Sequence, residues 1–140
     1  MKSTTLTIIG VIGSFIAKIY GGWDAAMTTL VIFMGIDYLM GLIVAGVFKR
    51  SGKSENGALD SRAGFKGLCK KSVVLVVVLV AYRLDLVLGS TFIKDAVIIG
   101  YIANETISII ENAGLMGIPI PEVIKKAIDI LKKKSDGDIK

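Results

Sequence analysis

SVVLVVVLVAYRLDLVLGSTFIKDAVIIGYIANETISIIENA, residues 72–113, is the stretch whose reading decides the fold. It opens with an almost unbroken aliphatic run, turns at Gly89, Ser90 and Thr91, and continues as a second apolar run that carries polar residues at intervals. A helix needs about 20 mostly apolar residues to cross the hydrocarbon core of a bilayer. The stretch therefore predicts two spans, 72–92 and 93–113, joined as a hairpin. Working back toward the N-terminus, 4–22 and 24–48 have the same character, with Gly21, Gly22 and the interfacial aromatic Trp23 between them. The expected fold is an all-α membrane protein of two transmembrane helical hairpins, about four spans. Lys18 shortens the first run, and a three-span arrangement is the alternative.

Composition agrees. Of 140 residues, 53% are apolar and only two are proline. A soluble domain of this size keeps too large a surface for its volume to hide so many aliphatic side chains. The net charge of +5 does not point to nucleic acid, because the lysines sit in blocks between apolar runs. There is no histidine, and Cys69 is the single cysteine. The commonest general base is missing, as are a disulfide framework and a metal-ligand set. The expectation is no enzyme and no cofactor. Lys2 and the run Leu6–Ile16 resemble a secretory signal, yet bulky Lys18, Ile19 and Tyr20 follow instead of a small-x-small cleavage site. A retained first helix is expected.

Charge sets the orientation. The segment 49–71 carries Lys49, Arg50, Lys53, Arg62, Lys66, Lys70 and Lys71 against Glu55 and Asp60. The tail adds Lys125, Lys126, Lys132, Lys133, Lys134 and Lys140. The positive-inside rule makes both segments cytoplasmic. An even number of spans puts Lys2 on the same side, so that only Lys18, Arg83 and Lys94 of the 17 basic residues lie elsewhere. The chain then divides into a transmembrane region, 1–113, with a basic cytoplasmic loop over 49–71, and a cytoplasmic region, 114–140. In the latter, Gly114, Gly117, Pro119 and Pro121 stop the last span. Ile124, Ala127, Ile128 and Leu131 recur at helical spacing opposite Lys125, Lys126, Asp129 and Lys132. That pattern predicts a short basic amphipathic helix, with i,i+4 pairs Glu122–Lys126 and Asp129–Lys133. Beside a membrane it would lie in the cytoplasmic interface, with Lys125, Lys126, Lys132 and Lys133 toward anionic lipid. A solvated or partner-bound helix is the alternative. Ser135–Lys140 reads as a frayed tail.

The informative residues are the polar ones inside the spans: Asp37, Arg83, Asp85, Asn104 and Glu105. A charge at bilayer centre costs about 2.5–3.5 kcal/mol. The eight Ile and Val residues of 93–113 return about 0.3–0.6 kcal/mol each, which barely offsets Glu105 alone. This span needs protein or water along its polar side. Tyr101, Asn104, Glu105, Ser108, Glu111 and Asn112 fall within an arc of about 120°, so that side is well defined. It can pack in a bundle, with Arg83 paired to Asp37 or Glu105, or it can line an aqueous path. Both readings are open. In the first two spans Gly10, Gly13, Ser14 and Ala17 form small-xxx-small spacings, and Asp37, Gly41 and Ala45 lie in one i,i+4 row. Such residues let helices approach within or between subunits.

Other motifs carry nothing. Gly64–Ser72 (GFKGLCKKS) lacks the spacing of a phosphate loop, and the sequon Asn104-Glu105-Thr106 falls inside a predicted span. Cys69 near the membrane edge is a possible acylation site but reads as a small interfacial hydrophobe.

One family pattern remains. Asp37-x-x-x-Gly41-x-x-x-Ala45, the loop ending Gly64-x-x-Gly67-x-x-Lys70-Lys71, and Asn104-Glu105-x-x-Ser108-Ile109-x-Glu111-Asn112 followed by Gly117-Ile118-Pro119-Ile120-Pro121 resemble the toxin-secretion/phage-lysis holin family, over about residues 30–134. The resemblance implies a homo-oligomer in the cytoplasmic membrane of a bacterial host. There it opens lesions through which an endolysin or a toxin leaves, without direct contact between the two being expected. Two other functions fit the residues. One is a small ion channel or transporter subunit with Asp37, Arg83 and Glu105 on a permeation or proton path. The other is a non-conducting antiholin or membrane anchor.

Overall fold

The computed structural model describes residues 1–136 and is all-helical over them. Helix α1 (Lys2–Ile19) leads into α2 (Ala25–Ile43), which a π-helical turn (Val44–Phe48) extends without interruption. Helices α3 (Ser61–Leu88), α4 (Ile93–Leu115) and α5 (Glu122–Ser135) follow. Residues 137–140, the end of the expected tail, lie outside the described residues.

Local chemistry sets the boundaries. Gly21 and Gly22 end α1 with φ of +78° and +102°, and their amides donate to Lys18 O and Ala17 O. Asp24 caps α2 by accepting from Met27 N at 2.8 Å. Asp60 caps α3 by accepting from Arg62 N at 2.9 Å. Helix α3 therefore begins well before residue 72, and the expected loop 49–71 is a loop only over 49–60. Gly64 and Gly67 each weaken a helix by about 1 kcal/mol, which is why Ser61–Lys71 reads as irregular. Tertiary packing overrides that preference: the Tyr38 hydroxyl of α2 donates to Gly64 O at 3.3 Å, and its ring lies against Gly67.

The core joins one face of α2 (Met27, Leu30, Met34) to Val78 of α3 and to Ile98 and Ile102 of α4. Tyr20, Leu75, Tyr101 and Leu131 pack around it. The 3- and 4-residue spacings put each set on one helical stripe. Helix α1 takes no part. None of its residues is buried, and Leu6, Ile9, Val11 and Phe15 are each at least 60% exposed.

Among the described residues, two helical stretches, Lys2–Ile19 and Ala25–Phe48, are long and apolar enough to cross a membrane by themselves. About four spans were expected, and two meet that measure unaided. Helices α3 and α4 have the length, but Lys71, Arg83 and Asp85 interrupt one and Lys94, Asp95, Glu105 and Glu111 the other.

Helix α5 forms where a short basic amphipathic helix was expected. In the isolated chain it folds back along α4, burying Ile128 and bringing Leu131 to the core. Lys132 and Asp136 share a cavity of about 580 Å³ with Ala96, Val97, Gly100, Tyr101 and Asn104. An amphipathic helix buries its apolar stripe against the nearest apolar surface, and here that surface is α4. The expected pair Glu122–Lys126 is replaced by Glu122 with Lys125, 3.2 Å apart.

Candidate functional site: a charged triad within the bundle

Three helices each bring one charge to a common point. Asp37 is in the middle of α2, Glu105 in the middle of α4, and Lys71 eleven residues into α3. Lys71 Nζ donates to Asp37 Oδ2 and to Glu105 Oε2, both at 2.8 Å. Asn112 Nδ2 donates to the other carboxylate oxygen of Asp37 at 3.0 Å. Asp37 and Glu105 are 3% and 9% exposed. Short bonds between ionised groups are about twice as strong as neutral ones, and their strength grows in a low-dielectric interior. Among the described residues, every buried side-chain nitrogen and oxygen has a partner. A small cavity of about 60 Å³, bordered by Gly41, Ala45, Gly64 and Gly67, opens beside Asp37 and Lys71 toward the loop 49–60.

The cation of this triad is not the expected one. Arg83 is exposed and makes no ion pair with Asp37 or Glu105. It lies twelve residues beyond Lys71 on α3, about 18 Å along the axis. The early start of α3 is the cause: Lys71 is a mid-helix residue level with Asp37, and Arg83 belongs to the opposite end. Asp85 has a structural task there. Its Oδ1 accepts from Ser90 Oγ at 2.6 Å and from Ile93 N at 3.0 Å, and its Oδ2 accepts from Lys94 N at 2.9 Å. It thereby caps α4 from the preceding helix.

The polar arc of α4 splits. Glu105 and Asn112, seven residues and two turns apart, share one stripe and are buried against α2 and α3. Asn104 and Glu111 each sit one residue earlier, about 100° around the helix, and both are exposed. Tyr101 and Ser108 are half-buried. Tyr101 and Asn104 face the cavity under α5.

The small residues at the middle of α1 meet no other helix among the described residues. A methyl group at Gly10 or Gly13 would find open space, and Ser14 is exposed. Ala17 is half-buried. Gly41 also has open space for a methyl group, whereas Ala45 is buried. Lys125, Lys126, Lys132 and Lys133 are all exposed.

A second polar cluster escaped the sequence reading. Lys94 is 8% exposed; its Nζ donates to the Tyr20 carbonyl and lies 5.2 Å from the centre of the Tyr82 ring. The Tyr20 hydroxyl donates to Leu75 O at 2.8 Å. These contacts tie the α1–α2 turn to the α3–α4 hairpin. The available signal was a lysine immediately after a Gly-Ser turn in an apolar segment, with aromatic residues near each helix end. No group of three or more acidic, cysteine or histidine side chains suited to a metal occurs among the described residues.

Several relatives share most of this chain. Lmo0128 of Listeria monocytogenes is 40% identical over 127 residues, 90% of this chain and 85% of its own length. A 14.9 kDa protein of Clostridium perfringens is 39% identical over 125 residues, 88% of this chain and 89% of its own. A probable holin of Bacillus phage phi105 is 32% identical over 102 residues, 72% of this chain and 70% of its own. No solved structure matches the chain. The sequence profile of the bacteriophage holin family matches residues 14–133, a span that takes in α2, the charged triad and most of α5. By that match, and by its likeness to the phage protein, the chain belongs to the bacteriophage holin family.

Proposed function

We propose that this chain is a non-enzymatic lesion-forming holin of the bacterial cytoplasmic membrane, where it oligomerises and releases an endolysin or a toxin. The observation that carries the reading is the triad of Lys71 with Asp37 and Glu105, taken together with family membership. Three separate charges at mid-membrane would cost on the order of 8–10 kcal/mol. Bonded to one another they turn inward, and α2, α3 and α4 enter lipid as one unit. With α1 added, the chain makes four passes and both termini are cytoplasmic, the side that the basic loop and tail favour.

The same arithmetic moves α5. Beside a lipid-facing α4, its five lysines (Lys125, Lys126, Lys132, Lys133 and Lys134) would cost about 12–18 kcal/mol. At the cytoplasmic surface each lysine instead gains about 1 kcal/mol from anionic lipid. Lesions form when association turns the partly polar α4 toward water, with Asn104, Glu105, Ser108 and Glu111 lining or sealing the opening. Tyr101 and Asn112 flank that face.

The test is inducible expression in a bacterium together with a folded cytoplasmic reporter enzyme. Depolarisation with release of the reporter is the expected result. Passage of ions alone would support a channel, and silence with normal growth would support an anchor; either result overturns the proposal.

A further inference from the structure

The groove on α4 that α5 fills has a second natural occupant. We propose that α5 is a strap standing in, within the single chain, for α1 of a neighbouring copy, and that exchanging one for the other builds the oligomer head to tail. The inference rests on the membrane reading above.

Three observations carry it. First, α5 fits the groove but does not fit lipid. Its apolar edge is narrow, with Ile128 buried and Leu131 at the core, while its exposed lysines face outward. Once α4 is surrounded by acyl chains the docked strap is disfavoured, whereas the cytoplasmic surface suits a basic amphipathic helix. Its departure uncovers a strip that includes the half-buried Val97, Gly100 and Tyr101.

Second, α1 is an apolar helix that is packed against no other helix among the described residues. None of its residues is buried, and its only charges, Lys2 and Lys18, lie at its two ends. Gly10 and Gly13 leave open space for another backbone, and Ser14 beside them is exposed.

Third, the directions agree. Docked α5 runs toward the start of α4, because Asp136 lies with Ala96 and Val97. The C-terminal end of α1 meets that same end of α4, because Lys94 donates to the Tyr20 carbonyl. In a common bilayer frame both helices run antiparallel to α4. An α1 from the next copy can thus replace α5 without reversing direction, and it brings no lysine to mid-membrane.

A contact of α1 on α4 joins two different surfaces. It is heterologous, and such contacts propagate into rings or open arrays rather than stopping at a dimer.

The experiment uses full-length chains with Cys69→Ser. A chain carrying Phe15→Cys on α1 and a chain carrying Val97→Cys on α4 are mixed in vesicles of phosphatidylcholine and phosphatidylglycerol and then oxidised. The expected product is the mixed dimer, in at least tenfold excess over either homodimer. A single chain carrying both cysteines should give a ladder beyond dimers. In a third sample, a chain carrying Val97→Cys and Lys132→Cys is first treated in detergent with a cleavable thiol linker, and its ladder is read in vesicles with an amine-reactive crosslinker instead of by oxidation. Chains with α5 tethered to α4 are selected by digestion mapping. These should lose the ladder at least tenfold and regain it when the linker is cut.

Homodimers through Phe15→Cys, which would mean that α1 pairs with α1, would overturn the proposal. So would homodimers through Val97→Cys, or a ladder unaffected by the tether. Leakage of an encapsulated folded protein is measured on the same vesicles. Mixed dimers and ladders without leakage would leave the α1–α4 contact standing and remove the lesion reading instead.

Discussion

Replacing Lys71 with methionine keeps most of the side-chain length and removes the one cation shared by Asp37 and Glu105. Two carboxylates are then left facing each other, 3% and 9% exposed, with Asn112 the remaining donor to Asp37. Removing one member of a buried ion pair costs about 3–5 kcal/mol. That is a large part of the 5–15 kcal/mol that holds a typical domain together, and it corresponds to a change of about 10²–10⁴ in the folded-to-unfolded ratio. In detergent the purified variant should melt on the order of 10 °C below the parent, and its yield in the membrane fraction should fall. The compensating triple variant, Asp37→Asn with Lys71→Met and Glu105→Gln, removes all three charges and should recover most of the loss, since residues in one network are strongly non-additive. A Lys71→Met protein that melts with the parent would refute the reasoning, because the bonds would then contribute nothing. A triple variant no better than the single would refute it too, showing that the loss came from packing and not from stranded charge.

Further outcomes follow from the same geometry. Arg83→Gln should shift stability by no more than about 0.5 kcal/mol, as expected of an exposed side chain outside any network; a loss as large as that of Lys71→Met in the same melt would restore Arg83 as the internal cation. Gly21→Ala meets both a φ of +78° and the Tyr82 ring, 2.3 Å from the new methyl group. It should destabilise by more than the 1–2 kcal/mol of the backbone penalty alone, with partial recovery on adding Tyr82→Leu, read by thermal melting in detergent. Asp85→Ala removes the acceptor for Ile93 N and Lys94 N and should cost about 1–2 kcal/mol, with faster hydrogen exchange at those two amides. Lys132→Gln with Lys133→Gln should weaken binding of the α5 segment to anionic vesicles about fivefold per charge at low salt, and this difference should fade as salt rises.

How much was legible differs from one element to the next. Ala25–Phe48 was readable because an apolar run bounded by Asp24 and Lys49 needs no partner to be recognised. The hairpin turn at Gly89 was readable for the same local reason, and a glycine at φ +68° caps α3 there. The start of α3 was not, because Gly64 and Gly67 argue locally for a loop and only the Tyr38 ring and hydroxyl, 26 residues away, argue otherwise. That misplaced boundary carried the error in the triad: with α3 begun at residue 72, Arg83 appeared level with Glu105, and Lys71 appeared to lie outside the helix.

The amino-acid order alone determined that the chain is helical, that its basic residues come in blocks between apolar runs, and that α4 has a polar side which cannot face lipid unaided. These properties depend on spacing within single helices, which is written along the chain. The tertiary structure alone decided which cation joins Asp37 and Glu105, which polar residues of α4 turn inward, and where α5 lies. Each of those outcomes depends on the relative register of helices joined by loops, and a helix of 3.6 residues per turn changes facing by about 100° with every residue of register.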